Sequence, residues 1–221
     1  GTLNYRVQDF RLIGFALGSI HVRSGTAFGG NTEMYISEIQ NDARQSAWTS
    51  GLLNPPVSFT IEDSKVGLGT GKNFNRTLRG CIPTTMTLTL AQNEPITCEM
   101  NYVAQWLELG SGASTSVTAP GNRPYLWSDS LLTIGGSNIL TAKEITFELD
   151  QTTQSPHYLT GSRVISTPFR ENRSYTVNVT LDSESEIIKV LYDQYFFGGS
   201  SFNMTLDLNA DAKAGVTGSQ H

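Results

Sequence analysis

The stretch SYTVNVTLDSESEIIKVLYDQYFFGG, residues 174–199, decides the fold because the spacing of its apolar residues changes in the middle. Over its first part, apolar and polar residues alternate, which is the pattern of a half-buried β-strand. Ser183 and Glu186 then form a capping box, apolar residues follow at helical spacing, and a Gly-Gly pair favours an end to the helix. The stretch therefore predicts a strand that leads into a helix over residues 183–197.

The predicted helix is apolar on two sides, and its polar residues form a narrow stripe that includes Lys189 and Asp193. One apolar side covers the sheet of the same chain, while the other either lies under loops of that chain or meets a second molecule. The apolar residues that we assign to packing between subunits are Ile187, Ile188, Leu191, Tyr192, Tyr195 and Phe196.

Alternating apolar and polar residues predict further strands along the chain. These strands lie at 34–39, 57–62, 85–90, 96–102, 144–150 and 202–209. Gly14 and Gly18 argue against a helix between Tyr5 and Arg23, where we expect short strands or an extended arm. The predicted fold class is mainly β: an antiparallel β-sandwich or barrel with one flanking α-helix and long loops.

The length of 221 residues suits one large β domain, and we expect residues 1–221 to form a single domain. Residues 1–25 are a candidate N-terminal arm. Residues 109–124 are mostly Gly, Ser, Thr and Ala and bury too little to order themselves, so they are predicted to form a flexible loop. Residues 210–221 are predicted to form a flexible C-terminal tail.

The two cysteines lie near or within a predicted hairpin of residues 84–103. A turn near Asn93 places Cys98 opposite Leu88 and away from Cys81. A disulfide between the two is therefore disfavoured, and we expect both to be reduced residues of the core.

The balance of charges excludes one common class of function. Fifteen Lys and Arg against 20 Asp and Glu give a formal charge of −5, which argues against a nucleic-acid-binding protein of the usual basic kind. No apolar run approaches the roughly 18 residues of a membrane span, and the N-terminus lacks a signal pattern. We therefore expect a soluble protein with no membrane partner.

Patterns for metal, cofactor and nucleophile sites are weak. The three histidines are scattered without ligand spacing, and the glycine-rich segment 63–75 lacks the spacing of a phosphate loop. No metal, no cofactor and no enzymatic activity are therefore expected.

Two alternatives involving sugars stay open. Glu144 and Glu148 share one strand face and could form the acid and base pair of a β-sandwich glycosidase, although a solvated strand face is the simpler interpretation. The other alternative is a carbohydrate-binding β-sandwich module whose stacking platforms are Trp48, Trp106 and Trp127.

The order of elements over residues 79–209 resembles a known family. Its characteristic runs are Arg79-Gly80-Cys81-Ile82-Pro83 before a Thr-rich hairpin, Leu131-Leu132-Thr133-Ile134-Gly135-Gly136, and Gly161-Ser162-Arg163 before the strand–helix–strand unit. In these features the chain is similar to the tail tube, or major tail, proteins of long-tailed phages and related archaeal viruses.

The resemblance implies a structural virion protein without catalysis. Members fold as a β-sandwich or barrel with one helix, and they form hexameric rings that stack into a tube for genome passage. The implied partners are copies of the chain itself, other tail proteins, and viral DNA that passes without specific binding. The implied location is the virion tail, after assembly in the host cytoplasm.

The polar faces of the predicted strands agree with such a channel, because they are rich in Thr, Asn and carboxylates and lack Lys and Arg. A wall of this kind offers no cations to hold phosphates and repels them mildly. The residues expected to face the lumen are Glu99, Glu144, Glu148, Thr176, Asn178 and Thr180.

Overall fold

The computed structural model describes residues 1–24, 32–38, 58–65, 74–110, 123–154, 169–182, 189, 192–193, 198–199 and 201–208. Over these residues the protein is mainly β, with antiparallel sheets stacked in a sandwich and a short α-helix near the N-terminus. The predicted fold class is confirmed in its sandwich form, since no sheet formed by the described strands closes into a barrel.

The main sheet has five antiparallel strands in its principal path. From one edge to the other they are β1 (Thr2–Arg6), β6 (Thr97–Val103), β5 (Phe74–Ala91), β10 (Ala142–Gln154) and β11 (Phe169–Leu181). The long strand β5 forms the centre, and its second half pairs with β6 on one side and β10 on the other.

Two further strands extend the sheet along the first half of β5. They are β4 (Phe59–Lys65) on one side and β7 (Trp106–Gly110) on the other. Gly80 of β5 has a φ of 65°, a value that favours glycine, and Gln105 N–H donates to the neighbouring Arg79 carbonyl at 3.0 Å. We call β4, β7 and residues 74–79 of β5 the extension.

A second layer covers one face of the main sheet. It contains a small sheet of β8 (Ser130–Ile134), β9 (Ser137–Asn138) and β12 (Met204–Leu208), together with helix α1 (Arg11–Leu17). The strands β2 (Gly18–Ser24) and β3 (Thr32–Glu38) follow α1 as a separate two-stranded hairpin.

The core lies between the two layers, where the apolar positions of the alternating strands meet. Its buried residues are Val7, Ile13, Ala16, Met86, Leu88, Leu90, Ile96, Cys98, Met100, Leu132, Ile134, Ile139, Ile145 and Leu149. The predicted strands at 85–90, 96–102 and 144–150 are thereby confirmed with their predicted apolar faces inward.

The hairpin formed by β5 and β6 has the predicted register. Asn93 lies at its turn with a φ of 66°, which Asn tolerates better than most residues, and Leu88 pairs with Cys98. Both cysteines are buried with free thiols, which confirms the prediction of reduced core residues.

Helix α1 corrects the expectation that residues 5–23 contain no helix. Gly14 lies in its middle at a cost of about 1 kcal/mol relative to Ala, but burying a side chain such as Ile13 contributes about 1.5–3 kcal/mol. Tertiary packing therefore decides the structure here against local propensity. Residues 2–17, part of the candidate arm, are a strand of the main sheet and a helix of the second layer.

The predicted helix at 183–197 lies almost entirely outside the described residues. Lys189 is α-helical, and Tyr192 and Asp193 belong to a π-helical turn. All three are exposed, Tyr192 at 50%. The other residues assigned to subunit packing, Ile187, Ile188, Leu191, Tyr195 and Phe196, are outside the described part of the chain.

The two predicted flexible segments also lie mostly outside it. Leu109 and Gly110, at the start of the first segment, belong to strand β7. The C-terminal segment 210–221 is not described, and the flexibility of both segments stays a prediction.

Candidate functional site: the polar face of the main sheet

Paired strands place polar residues in straight rows across the main sheet. Glu99, Thr87, Glu148 and Thr176 lie directly opposite one another on β6, β5, β10 and β11, and Asn4 continues the row onto β1. Residues opposite one another in antiparallel strands project from the same face. One row of polar residues therefore crosses all five strands.

Parallel rows lie two residues away on either side, so they share the same face. One contains Thr2, Asn101, Thr85, Asp150 and Ser174; the next contains Arg6, Thr97, Thr89, Thr146 and Asn178; and a shorter one contains Ala91, Glu144 and Thr180. We call the residues of these four rows the polar face. All six residues predicted to face a lumen, Glu99, Glu144, Glu148, Thr176, Asn178 and Thr180, belong to it.

The charge of the polar face is negative. It carries four carboxylates and the single guanidinium of Arg6, a formal charge of −3, and all five charged groups are exposed. The remaining side chains are nearly all Thr, Asn and Ser. The opposite side of the same strands carries the buried apolar residues of the core, so the sheet separates an apolar side from a hydrated one.

Side-chain hydrogen bonds connect the polar face across its strands. The Thr2 hydroxyl donates to Asn101 Oδ1 at 2.6 Å, and Asn101 Nδ2 donates to the Thr85 hydroxyl at 2.8 Å. These bonds link β1, β6 and β5 in one row. The polar groups of this row are thus partly satisfied by one another.

A family model with the description "Phage tail tube protein" matches residues 16–220 of this sequence. The chain belongs to the phage tail tube protein family. This confirms the resemblance seen in the sequence, and it makes the protein a structural tail tube protein of the virion tail. No curated protein sequence matches the chain.

Tail tube membership suggests a non-enzymatic role, and the geometry of the glutamates agrees. Glu144 and Glu148 are four residues apart on β10, so their backbones are about 13 Å apart. Glycosidases place their two carboxyl groups about 5–9.5 Å apart. The backbone separation of this pair is therefore larger than the carboxyl spacing of a glycosidase acid and base.

The tryptophans proposed as sugar platforms do not share a described surface in this tail tube protein. Trp106 is exposed on β7 of the extension, whereas Trp127 packs against the hydrophobic core. Trp48 lies outside the described residues. A carbohydrate-binding groove built from all three is therefore not seen.

The described segments of the tail tube protein contain neither a metal-binding cluster nor a membrane-spanning helix. There, no group of three or more His, Cys, Asp or Glu side chains is placed to hold a metal ion. Within the same segments, no helix has both the length and the apolarity needed to cross a bilayer.

Strand β1 contributes polar-face residues that the sequence interpretation missed. Thr2, Asn4 and Arg6 alternate with Leu3 and Tyr5, a period of two that identifies a half-buried strand. The segment that follows, with Gly14 and Gly18, has no clean period and obscures this alternation. The only cation of the polar face lies in this missed strand.

Proposed function

We propose that copies of this protein assemble, in the host cytoplasm, into hexameric rings that stack into the tail tube, with the polar face toward a lumen through which viral DNA passes. One observation carries the proposal: five adjacent strands present one continuous polar surface with a formal charge of −3 and a single cation.

The chemistry of this surface suits passage rather than binding. DNA carries a negative charge about every 1.7 Å along its axis, and proteins hold it by neutralising phosphates with Lys and Arg. The carboxylates of Glu99, Glu144, Glu148 and Asp150 repel phosphates, and the hydroxyl and amide groups between them form only weak neutral contacts. No group on the wall would therefore bind the DNA strongly enough to hold it in place.

The edges of the main sheet support ring formation. Among the described strands, β1 pairs only with β6 and β11 pairs only with β10, so no described strand occupies the outer side of either edge. Contact between β11 of one subunit and β1 of the next is heterologous, and repeating such a contact closes a ring when the rotation between neighbours is one sixth of a turn for six subunits. It would also join neighbouring polar faces into one wall.

The size of the sheet agrees with a hexamer around DNA. With about 4.8 Å between strands, five strands span about 24 Å, and six subunits give a circumference of about 140 Å and a backbone diameter of about 45 Å. After side chains are allowed for, this leaves space for a DNA duplex without forced contact with the wall.

Surfaces other than the polar face would make further contacts between subunits and between stacked rings. These are the second apolar side of the predicted helix, to which the half-exposed Tyr192 belongs, and the loop predicted at 109–124. Other tail proteins would meet the tube at its two ends.

Electron microscopy of purified, concentrated protein in negative stain tests the assembly, with sedimentation velocity on the same samples at low and high salt. We expect rings or tubes with a central channel. A monodisperse monomer under all these conditions would contradict the proposal.

A further inference from the structure

Two side chains of the main sheet bind the last carbonyls of helix α1. Gln151 on β10 donates from Nε2 to the Ala16 carbonyl at 3.0 Å, and Arg173 on β11 donates from Nη1 to the Leu17 carbonyl at 3.2 Å. A second nitrogen of Arg173, Nη2, donates to Gln151 Oε1 at 3.0 Å. The end of the helix is therefore tied to two neighbouring strands.

These hydrogen bonds centre on a buried side chain rather than on a surface contact. Gln151 and Arg173 are paired opposite each other in the sheet, and Gln151 is only 2% exposed with both ends of its amide bonded. Helix α1 has no basic residue in its own last turn. Arg173, on strand β11, supplies the positive charge that stabilises the C-terminus of a helix.

The elements at this junction need outside support. A helix of seven residues is too short to be stable alone, and an isolated two-stranded hairpin is marginal in water. Leu17 ends α1 and Gly18 begins β2, so no spacer separates them. Among the described strands, β2 and β3 pair only with each other.

We propose that Gln151 and Arg173 form a latch that holds α1 and the β2–β3 hairpin on the main sheet as one unit. When the latch is released, the C-terminal end of α1 and the hairpin open while the strands of the sandwich stay folded, as a locally unfolding segment does in other proteins. Because Arg173 lies on the edge strand β11, the order of the hairpin depends on a strand far from it in sequence.

Hydrogen exchange of the full chain, followed by mass spectrometry, tests the latch with the variant Arg173→Ala. Amides of Gly18–Ser24 and Thr32–Glu38 should exchange at least about tenfold faster than in the wild type. Amides of Met86–Leu90, in the centre of the sandwich, should change by less than about twofold. Gln151→Met, which keeps the volume but removes the hydrogen bonds, should give the same pattern.

Two controls separate the latch from general destabilisation. Arg76→Ala removes an exposed arginine of the extension and should leave exchange in the hairpin unchanged. Arg173→Lys keeps the charge but loses the two-nitrogen fork, so it should restore part of the protection. Unchanged exchange in the hairpin of Arg173→Ala, or an equal increase in the hairpin and the sandwich centre, would overturn the proposal.

Discussion

The two halves of β5 are parts of one strand, but they differ in what covers them. In the second half, Met86, Leu88 and Leu90 are buried under the second layer. In the first half, the neighbouring strand β7 leaves Leu107 and Leu109 exposed at 52% and 70%. Leucine side chains are thus buried in the sandwich, where they stabilise it, but are exposed to solvent on the extension.

The difference separates the part that stabilises the subunit from the part that is free to contact others. Buried apolar area supplies most folding free energy, so the second half of β5 belongs to the stable body. The extension is held by strand pairing and by exposed ion pairs such as Arg76 with Asp63 at 2.8 Å. Its apolar surface is consistent with the subunit contacts proposed for the neighbouring loop at 109–124.

A matched pair of leucines gives the largest expected contrast in stability. Leu90→Ala removes a fully buried side chain and should lower the free energy of unfolding by about 2–5 kcal/mol. Leu109→Ala should change it by less than about 0.5 kcal/mol, because that side chain is mostly in water. Urea unfolding of the unassembled subunit measures both. Equal losses would mean that the extension is as much a part of the core as the sandwich.

A matched pair of arginines gives the next contrast. Arg123 donates to both oxygens of Asp129, at 2.6 and 3.0 Å, and the Asp129 side chain is 1% exposed. Arg123→Ala leaves that buried carboxylate with fewer donors and should cost about 1.5–3 kcal/mol. Arg76→Ala breaks an exposed pair on the extension and should cost less than about 1 kcal/mol. Urea unfolding measures the free energy of unfolding of both variants. A larger decrease for Arg76→Ala than for Arg123→Ala would contradict the comparison.

Alkaline pH should destabilise the sandwich through Tyr5 and Cys98, which lie opposite each other on β1 and β6. Burial raises the pKa of both above their ordinary values of 10.0 and 9.0. Such groups keep their protons to a higher pH in the folded state than in the unfolded state. Their contribution to the free energy of unfolding is therefore complete below the pKa of the unfolded state, and it is lost as the pH rises toward the pKa of the folded state. The free energy of unfolding should fall above about pH 9, by up to about 1.4 kcal/mol per pH unit for each group.

Urea unfolding between about pH 8 and about pH 10.5 measures this loss. Cys98→Ala should remove the thiol's share of the slope, and Tyr5→Phe should remove the phenol's share. Variants that keep the full wild-type slope would show that other groups cause the alkaline loss.

Charge reversal on the polar face should have little effect on stability but a separate effect on the release of DNA. Glu144→Lys with Glu148→Lys replaces two exposed negative charges with two positive ones, so the free energy of unfolding should change by less than about 1 kcal/mol. Tubes should still form, but virions that carry the variant should release DNA more slowly because the wall now attracts phosphates.

The matched control is Glu94→Lys with Asp207→Lys, which makes the same change in charge at exposed positions outside the polar face. DNA release from these virions should stay at the wild-type rate. Equal slowing by both double variants would mean that total charge, rather than the polar face, controls release.

Local patterns predicted the hairpin of β5 and β6 and the polar positions of β10 and β11. Strict alternation fixes which side chains share a face, and a turn at Asn93 fixes the register of two adjacent strands. The rows that join Thr87 to Glu148 depend on pairing between strands distant in sequence. That register is a tertiary property, so the sequence predicted the polar positions of β5, β6, β10 and β11 but not their order across the sheet.

The N-terminal segment was predicted least well. Helix α1 forms because burial of Ile13 and Ala16 outweighs the cost of Gly14, a balance that local propensity does not contain. Strand β1 was missed although Thr2, Asn4 and Arg6 alternate correctly. The hydrogen bonds from Arg173 to Leu17 join residues 156 positions apart, and no local pattern announces them.

A cryo-electron microscopy map of the assembled tube, at a resolution that separates strands, tests the central claim most directly. The account predicts that Glu99, Glu148 and Thr176 line the channel, with the small sheet of β8, β9 and β12 on the side away from it. A map in which that small sheet lines the channel, or in which the polar face is covered by a neighbouring subunit, would contradict it.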